Sequence, residues 1–281
     1  MSKTTKAPTA TVTTNPWQTL SAFTDARIAL GRAGTSLPTR ALLDFQLSHA
    51  QAIDAVQAEL DASAIRSGLQ ALSYRQSHPE VYDVKSQAGH RQQYLQRPDL
   101  GRKLSEADTF ALQQQRTEQG FDLAIVIADG LSASAVNQHA VAFVDALLKE
   151  ISFAQCGWSL APICLAQQSR VALGDDIARA LQARMVLMVI GERPGLSSPD
   201  SVGLYFTWQP QPGCDDAKRN CISNVRPKGL SIQNAAKRCQ YLMQESYNKQ
   251  LSGVALKDRS DDALLTGTAQ SEIFLLTSTT K

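Results

Sequence analysis

The side chains best suited to chemistry in this sequence fall in three short strings rich in Gly, Pro and Ser. ADGLSAS brings Asp129, Gly130 and Ser132 together, a carboxylate and a hydroxyl around a residue that permits a tight turn. GERPGLSSPDS, residues 191–201, carries Glu192, whose carboxylate can accept hydrogen bonds from a ligand's amides or hydroxyls, and Arg193, which can pair with it. RNCISNVRPKG, residues 219–229, sets Cys221 among polar neighbours. This is chemistry for holding a ligand more than for breaking a bond. Each string also has a plainer reading: a tight turn at Gly130 with Ser132 or Ser134 as helix cap, a proline-bounded loop tied by Glu192 and Arg193, and at Cys221 a thiol used as a small apolar group.

The remaining residues exclude more than they assign. His49, His78, His90 and His139 all lie in the first half of the chain, so no Ser-His-Asp or Cys-His order emerges. No H-E-x-x-H, G-x-x-x-x-G-K or G-x-G-x-x-G is present, which weakens metalloprotease, phosphate-loop and dinucleotide readings. The cysteines are five, an odd number, and no pair has C-x-x-C spacing, against a disulfide framework or a structural zinc site. Lys plus Arg is 28 and Asp plus Glu 26, a net +2 spread along the chain, which argues against a nucleic-acid binder. The charged fraction, 19%, lies below the globular average of about 25%, leaving a surface suited to a large partner. No apolar run reaches the roughly 18–20 residues of a membrane span and the first residues lack an apolar signal core, so the expectation is an intracellular, soluble protein.

Those strings need elements to position them. Residues 1–15 are Thr-rich and too poor in apolar groups to order, and are expected to be a disordered tail. Trp17, Leu20, Phe23, Ile28 and Leu30 form a loosely amphipathic stretch, read as a first helix or a docking peptide. Leu43, Leu47, Ala50, Ile53, Val56 and Leu60 recur at three and four residues behind Thr39 as N-cap, which predicts a helix, and Ser105 with Asp108 predicts a capping box opening another. Residues 16–118 are therefore expected to form a helical region. From Phe121 the pattern becomes strand (DLAIVIA), helix (Val136 to Leu148), strand (Leu160 to Leu165), helix (Asp176 to Gln182), strand (Met185 to Ile190), which are βαβ units. Val202 to Trp208 adds a strand and Ile232 to Tyr247 a closing helix. The fold class expected is α/β: a helical N-terminal region followed by a Rossmann-like parallel-sheet domain over residues 119–250. Residues 251–281 read as a polar extension in which Ile273 to Leu276 can pair or dock. In such a sheet, ligands bind beyond the carboxyl ends of the strands, where all three strings are expected to lie as loops.

Five strings taken together resemble the small (light) subunit of ethanolamine ammonia-lyase: GRAG with LPT at 31–39, YLQRPDLGRKL at 94–104, ADGLSA at 128–133, GERPGL at 191–196 and RNCISNVRPKG at 219–229. They occur in order and span most of the chain. The resemblance implies a lyase that converts ethanolamine to acetaldehyde and ammonia through a deoxyadenosyl radical. Its cofactor would be adenosylcobalamin, and its radical chemistry would belong to a large subunit's barrel. This chain would hold the cobalamin against that barrel. The family's contacts match Val171 in SRVALGD, Glu192 in GERPGL and Cys221 in RNCIS, and no residue of this chain takes a catalytic or metal-ligating role. The absence of D-x-H-x-x-G implies that cobalt keeps its own dimethylbenzimidazole. The partner implied is the large subunit, in a hexamer of large–small pairs, in the cytoplasm inside or outside a bacterial microcompartment. Two rivals stay open on the residues alone: a non-catalytic scaffold module, and a free-standing Rossmann-type enzyme that binds a nucleotide at ADGLSAS.

Overall fold

The structure is a computed structural model that describes residues 12–260. The expectations for residues 1–11 and for Ile273 to Leu276 fall outside the described residues. A six-stranded sheet lies at the centre, running across its width β1 (Val81–Lys85), β3 (Ile163–Gln167), β2 (Phe121–Ala128), β4 (Ala183–Gly191), β5 (Val202–Trp208) and β6 (Arg219–Val225). The β1–β3, β3–β2 and β2–β4 pairs are parallel; β4–β5 and β5–β6 are antiparallel. The protein is thus α/β as expected, with an antiparallel pair appended to the parallel portion.

The apolar runs make this arrangement necessary. A strand sends alternate side chains to opposite faces, so an unbroken apolar run must be covered on both. Leu123, Ile125 and Ile127 of β2 pack with Ile65 and Leu69 of α2 (Ala62–Gln70), Leu147 of α5 (Ala133–Phe153) and Met243 of α7 (Ile232–Lys249). Ala124, Val126 and Ala128 face Leu112 of α4 (Glu106–Gln113) and Ile177 and Leu181 of α6 (Leu173–Leu181). Ser105 caps α4 through Asp108 N at 3.1 Å, as its spacing predicts.

Several boundaries differ from the sequence reading. The helical region contains a strand, since β1 joins the sheet as its outer parallel member. RNCISNV is β6, the opposite edge strand, and not a loop. The stretch from Trp17 shortens to a 3₁₀ turn, Pro16–Phe23, with Trp17, Leu20 and Phe23 exposed. Thr13 is held by a backbone pair with Arg32, so this part of the expected tail is ordered. Residues 252–256 belong to the sheet domain: Leu256 is buried and Gly253 N donates to Asn220 Oδ1 at 2.7 Å. Helix α1 (Thr39–Gln57) has Pro38, not Thr39, at its cap position and buries only Ala55.

Candidate functional site

The carboxyl ends of β2, β3 and β4 lie side by side, so the chain segments leaving them form one surface. Asp129, directly after β2, is buried and fully occupied there. Its Oδ1 accepts from Gly130 N (2.8 Å) and Ser169 N (3.0 Å), and its Oδ2 from Gln168 N (2.8 Å), with Arg91 Nη1 at 3.6 Å. The residue therefore ties the end of β2 to the turn after β3, which carries Val171. Burial pushes its carboxyl above the usual carboxylate range, against the pull of those N–H groups and of Arg91. Gly130 has φ +56°, and a Cβ there would meet the Gly191 carbonyl oxygen at 2.3 Å, so only glycine lets the ends of β2 and β4 close together.

Ser132 caps α5, accepting from Ala135 N, and donates to the Pro199 carbonyl at 2.9 Å. That bond fixes the loop over residues 192–201. Glu192 finds its partners in Ser201, whose hydroxyl donates to Oε2, and in Asn224 N at 3.1 Å, rather than in Arg193. Asn224 belongs to β6, so the antiparallel pair is what holds the glutamate. Buried Arg226 anchors the same loop through Ser197 O (2.9 Å) and Asp200 (2.7 Å).

Val171 and Glu192 meet in one open cleft of about 450 Å³, whose other walls include Tyr94, Arg170, Ile190 and Tyr205. Cys221 does not line it. The thiol is exposed on β6, 3.2 Å from Ser223 Oγ and opposite Tyr205 in the strand register. Tyr205 stands between Cys221 and the cleft, its phenol pushed above the usual tyrosine range by burial, then by Cys221 and Glu192. The sequence reading missed Tyr205 and Arg170. Tyr205 carried no signal, being one aromatic in a strand; Arg170 precedes Val171, where a charged neighbour was the only hint. None of the four histidines lines the cleft. Helix α3 (Arg91–Gln96) uses His90 as its cap, and buried His139 lies 3.9 Å from Asp200.

A second cleft of about 820 Å³ shares the Arg170–Val171 corner and continues past the buried Asp175–Arg219 pair, joined by bonds of 2.7 and 2.6 Å. Another, of about 490 Å³, opens at the opposite end of the sheet, where the Tyr74 hydroxyl is committed to Trp158 O.

Residues 14–257 match the model of the family described as ethanolamine ammonia-lyase light chain. Among curated relatives, the ethanolamine ammonia-lyase small subunit of Pseudomonas aeruginosa is 53% identical over 257 residues, covering 91% of this chain and 92% of that one. That of Azotobacter vinelandii is 53% identical over 257 residues (91% and 93%), and that of Ralstonia nicotianae 52% over 258 residues (91% and 93%).

Proposed function

The chain belongs to the ethanolamine ammonia-lyase light-chain family, and from that we propose that it forms one wall of an adenosylcobalamin site completed by a large catalytic subunit. The observation that carries the reading is the convergence of Val171 and Glu192 in one cleft at the carboxyl ends of the strands. The donor set fits the cofactor. A corrin is a partly apolar disc rimmed with amides, and the cleft offers Val171 and Ile190 as apolar contacts, Glu192 as an acceptor for amide N–H groups, and an arginine with a buried, unpartnered Nε, Arg170.

The cleft's size supports a shared site. Closed sites for drug-sized ligands run about 300–1,000 Å³ and bury most of the ligand. An open cleft of about 450 Å³ can cover only part of a larger macrocycle, so another surface must cover the rest. When bound, the cofactor supplies a carbon radical by homolysis of its cobalt–carbon bond, which the conversion of ethanolamine to acetaldehyde and ammonia requires. This chain's part is to hold and orient. Glu192 is aimed by Ser201 and Asn224, Val171 is set by the Asp129 bonds to its turn, and Cys221 gives close contact at the rim beside Tyr205. A nucleotide at ADGLSAS is disfavoured, because the Asp129 carboxylate already takes the Gly130 N–H that a phosphate would need.

Ammonia release from ethanolamine tests the reading, with this chain, the matching large subunit and both together, each with and without adenosylcobalamin. Turnover is expected only with both chains and cofactor. An assembled complex that binds no cobalamin and releases no ammonia would overturn it. Glu192→Ala is expected to weaken cobalamin binding by the complex about tenfold, as loss of a charged hydrogen-bond acceptor does, and Cys221→Ala by less.

A further inference from the structure

We propose that Arg170 is a ligand-contacting residue of this site, taking an acceptor oxygen of the cofactor at the corner where the two clefts meet. The inference rests on the cofactor reading above. The string YLQRPDLGRKL gives the cleft only Tyr94; what it builds is a seat for Arg170. The Arg170 guanidinium carbon lies 4.4 Å from the centre of the buried Tyr94 ring. The Tyr94 hydroxyl donates to Ser169 O at 3.0 Å, and Arg170 N donates to Gly101 O at 2.8 Å. A Cβ on Gly101 would stand 2.9 Å from the Tyr94 ring and 3.0 Å from Arg170 Cγ, so glycine at 101 is what lets the two stack.

Two guanidinium groups share that ring, and only one has its charge answered. Arg91, 4.9 Å from the ring centre, donates to Gly130 O and Val56 O and lies 3.6 Å from Asp129. Arg170 forms no ion pair with any carboxylate among the described residues, and its buried Nε has no acceptor. A stacked, immobilised guanidinium whose charge meets no carboxylate among the described residues is preorganised for an acceptor from outside the chain. The cofactor offers two such sources: the phosphodiester of its nucleotide loop and the carboxamide oxygens on the corrin rim.

The test uses the complex of this chain with its large subunit and follows by visible absorbance how much hydroxocobalamin or dicyanocobinamide it retains in equilibrium dialysis. Cobinamide lacks the nucleotide loop. Arg170→Gln is expected to weaken hydroxocobalamin retention about tenfold or more, and Arg170→Lys, which keeps the charge without the planar fork, by less. Loss for hydroxocobalamin alone assigns the contact to the phosphodiester; equal loss for both probes assigns it to a rim carboxamide. Wild-type retention of both probes by the variants would overturn the inference while leaving the cofactor reading intact. A wild-type complex that retains neither probe would overturn both. Should the glutamine variant fail to assemble, undiminished retention by the lysine variant overturns the inference on its own.

Discussion

Cys221 and Cys239 carry the same side chain into opposite surroundings. Burial pushes the thiols of Cys239 and Cys164 up to about 12, whereas Cys221 is exposed on the outermost strand. At pH 8 an aromatic disulfide reagent should label Cys221 in the native protein, and Cys164 and Cys239 only after denaturation. Cys221→Ser should remove the fastest-labelled equivalent and leave only slower labelling at half-buried Cys156 and Cys214. Asp129 is fixed by the number of donors it receives. Asp129→Asn would turn an NH₂ toward backbone N–H groups or Arg91, a mismatch expected to cost about 1–3 kcal/mol in urea unfolding. Asp99 shows the opposite balance, since the Arg97 guanidinium holds its carboxyl down to about 2. Its folded value lies below the ordinary one near 3.9, so whatever it adds to stability is present above about pH 4 and is lost as pH falls toward 2. Carboxyl-carbon NMR should find Asp99 titrating near 2, and Arg97→Gln should return it toward the ordinary value.

Ser132 joins two elements at once, ending the turn after β2 and holding the loop that aims Glu192. Ser132→Ala should destabilise the protein by about 1–2 kcal/mol, the range for a lost cap, and should weaken cobalamin binding although it lies outside the cleft; thermal melts and dialysis read the two effects separately. Caps of this kind were legible because their chemistry is local: Ser105 and Ser132 each bond the backbone three residues on. The central strands were legible because burial on both faces leaves an unbroken apolar run. The two strands that went unread, β1 and β6, are the two edges of the sheet. VYDVK and RNCISNV mix charged and polar residues into short runs, as edges must if they are not to pair with other chains, and so they resemble loops in sequence. At the site, Glu192 and Cys221 stood out as polar side chains in short Gly- and Pro-rich strings, whereas Val171 was reached only through family resemblance. Arg170 and Tyr205 were reached by neither route, because what sets them apart is a ring stacked from a distant helix and a partner across a strand pair.

At the scale of the whole molecule, the sheet domain is well covered and the first helix is not. Leu42, Leu43, Phe45, Leu47 and Ile53 of α1 are exposed, near Trp17 and Phe23 in chain order. Large apolar side chains exposed in such number along one segment favour association. The chain on its own should therefore self-associate in sedimentation velocity. Leu43→Glu with Leu47→Glu should reduce that association and leave the melting temperature within a few degrees, since neither side chain is in the core. The reversal from parallel to antiparallel pairing after β4 bears on the order of events during synthesis. A chain interrupted just past Glu192 already contains Val171 and Glu192, yet it lacks Ser201 and Asn224, which aim the glutamate, and Tyr205, which closes the wall. The proposed cofactor wall is therefore complete only in the finished sheet: a chain that stops short keeps Val171 and Glu192 without the residues that aim and enclose them.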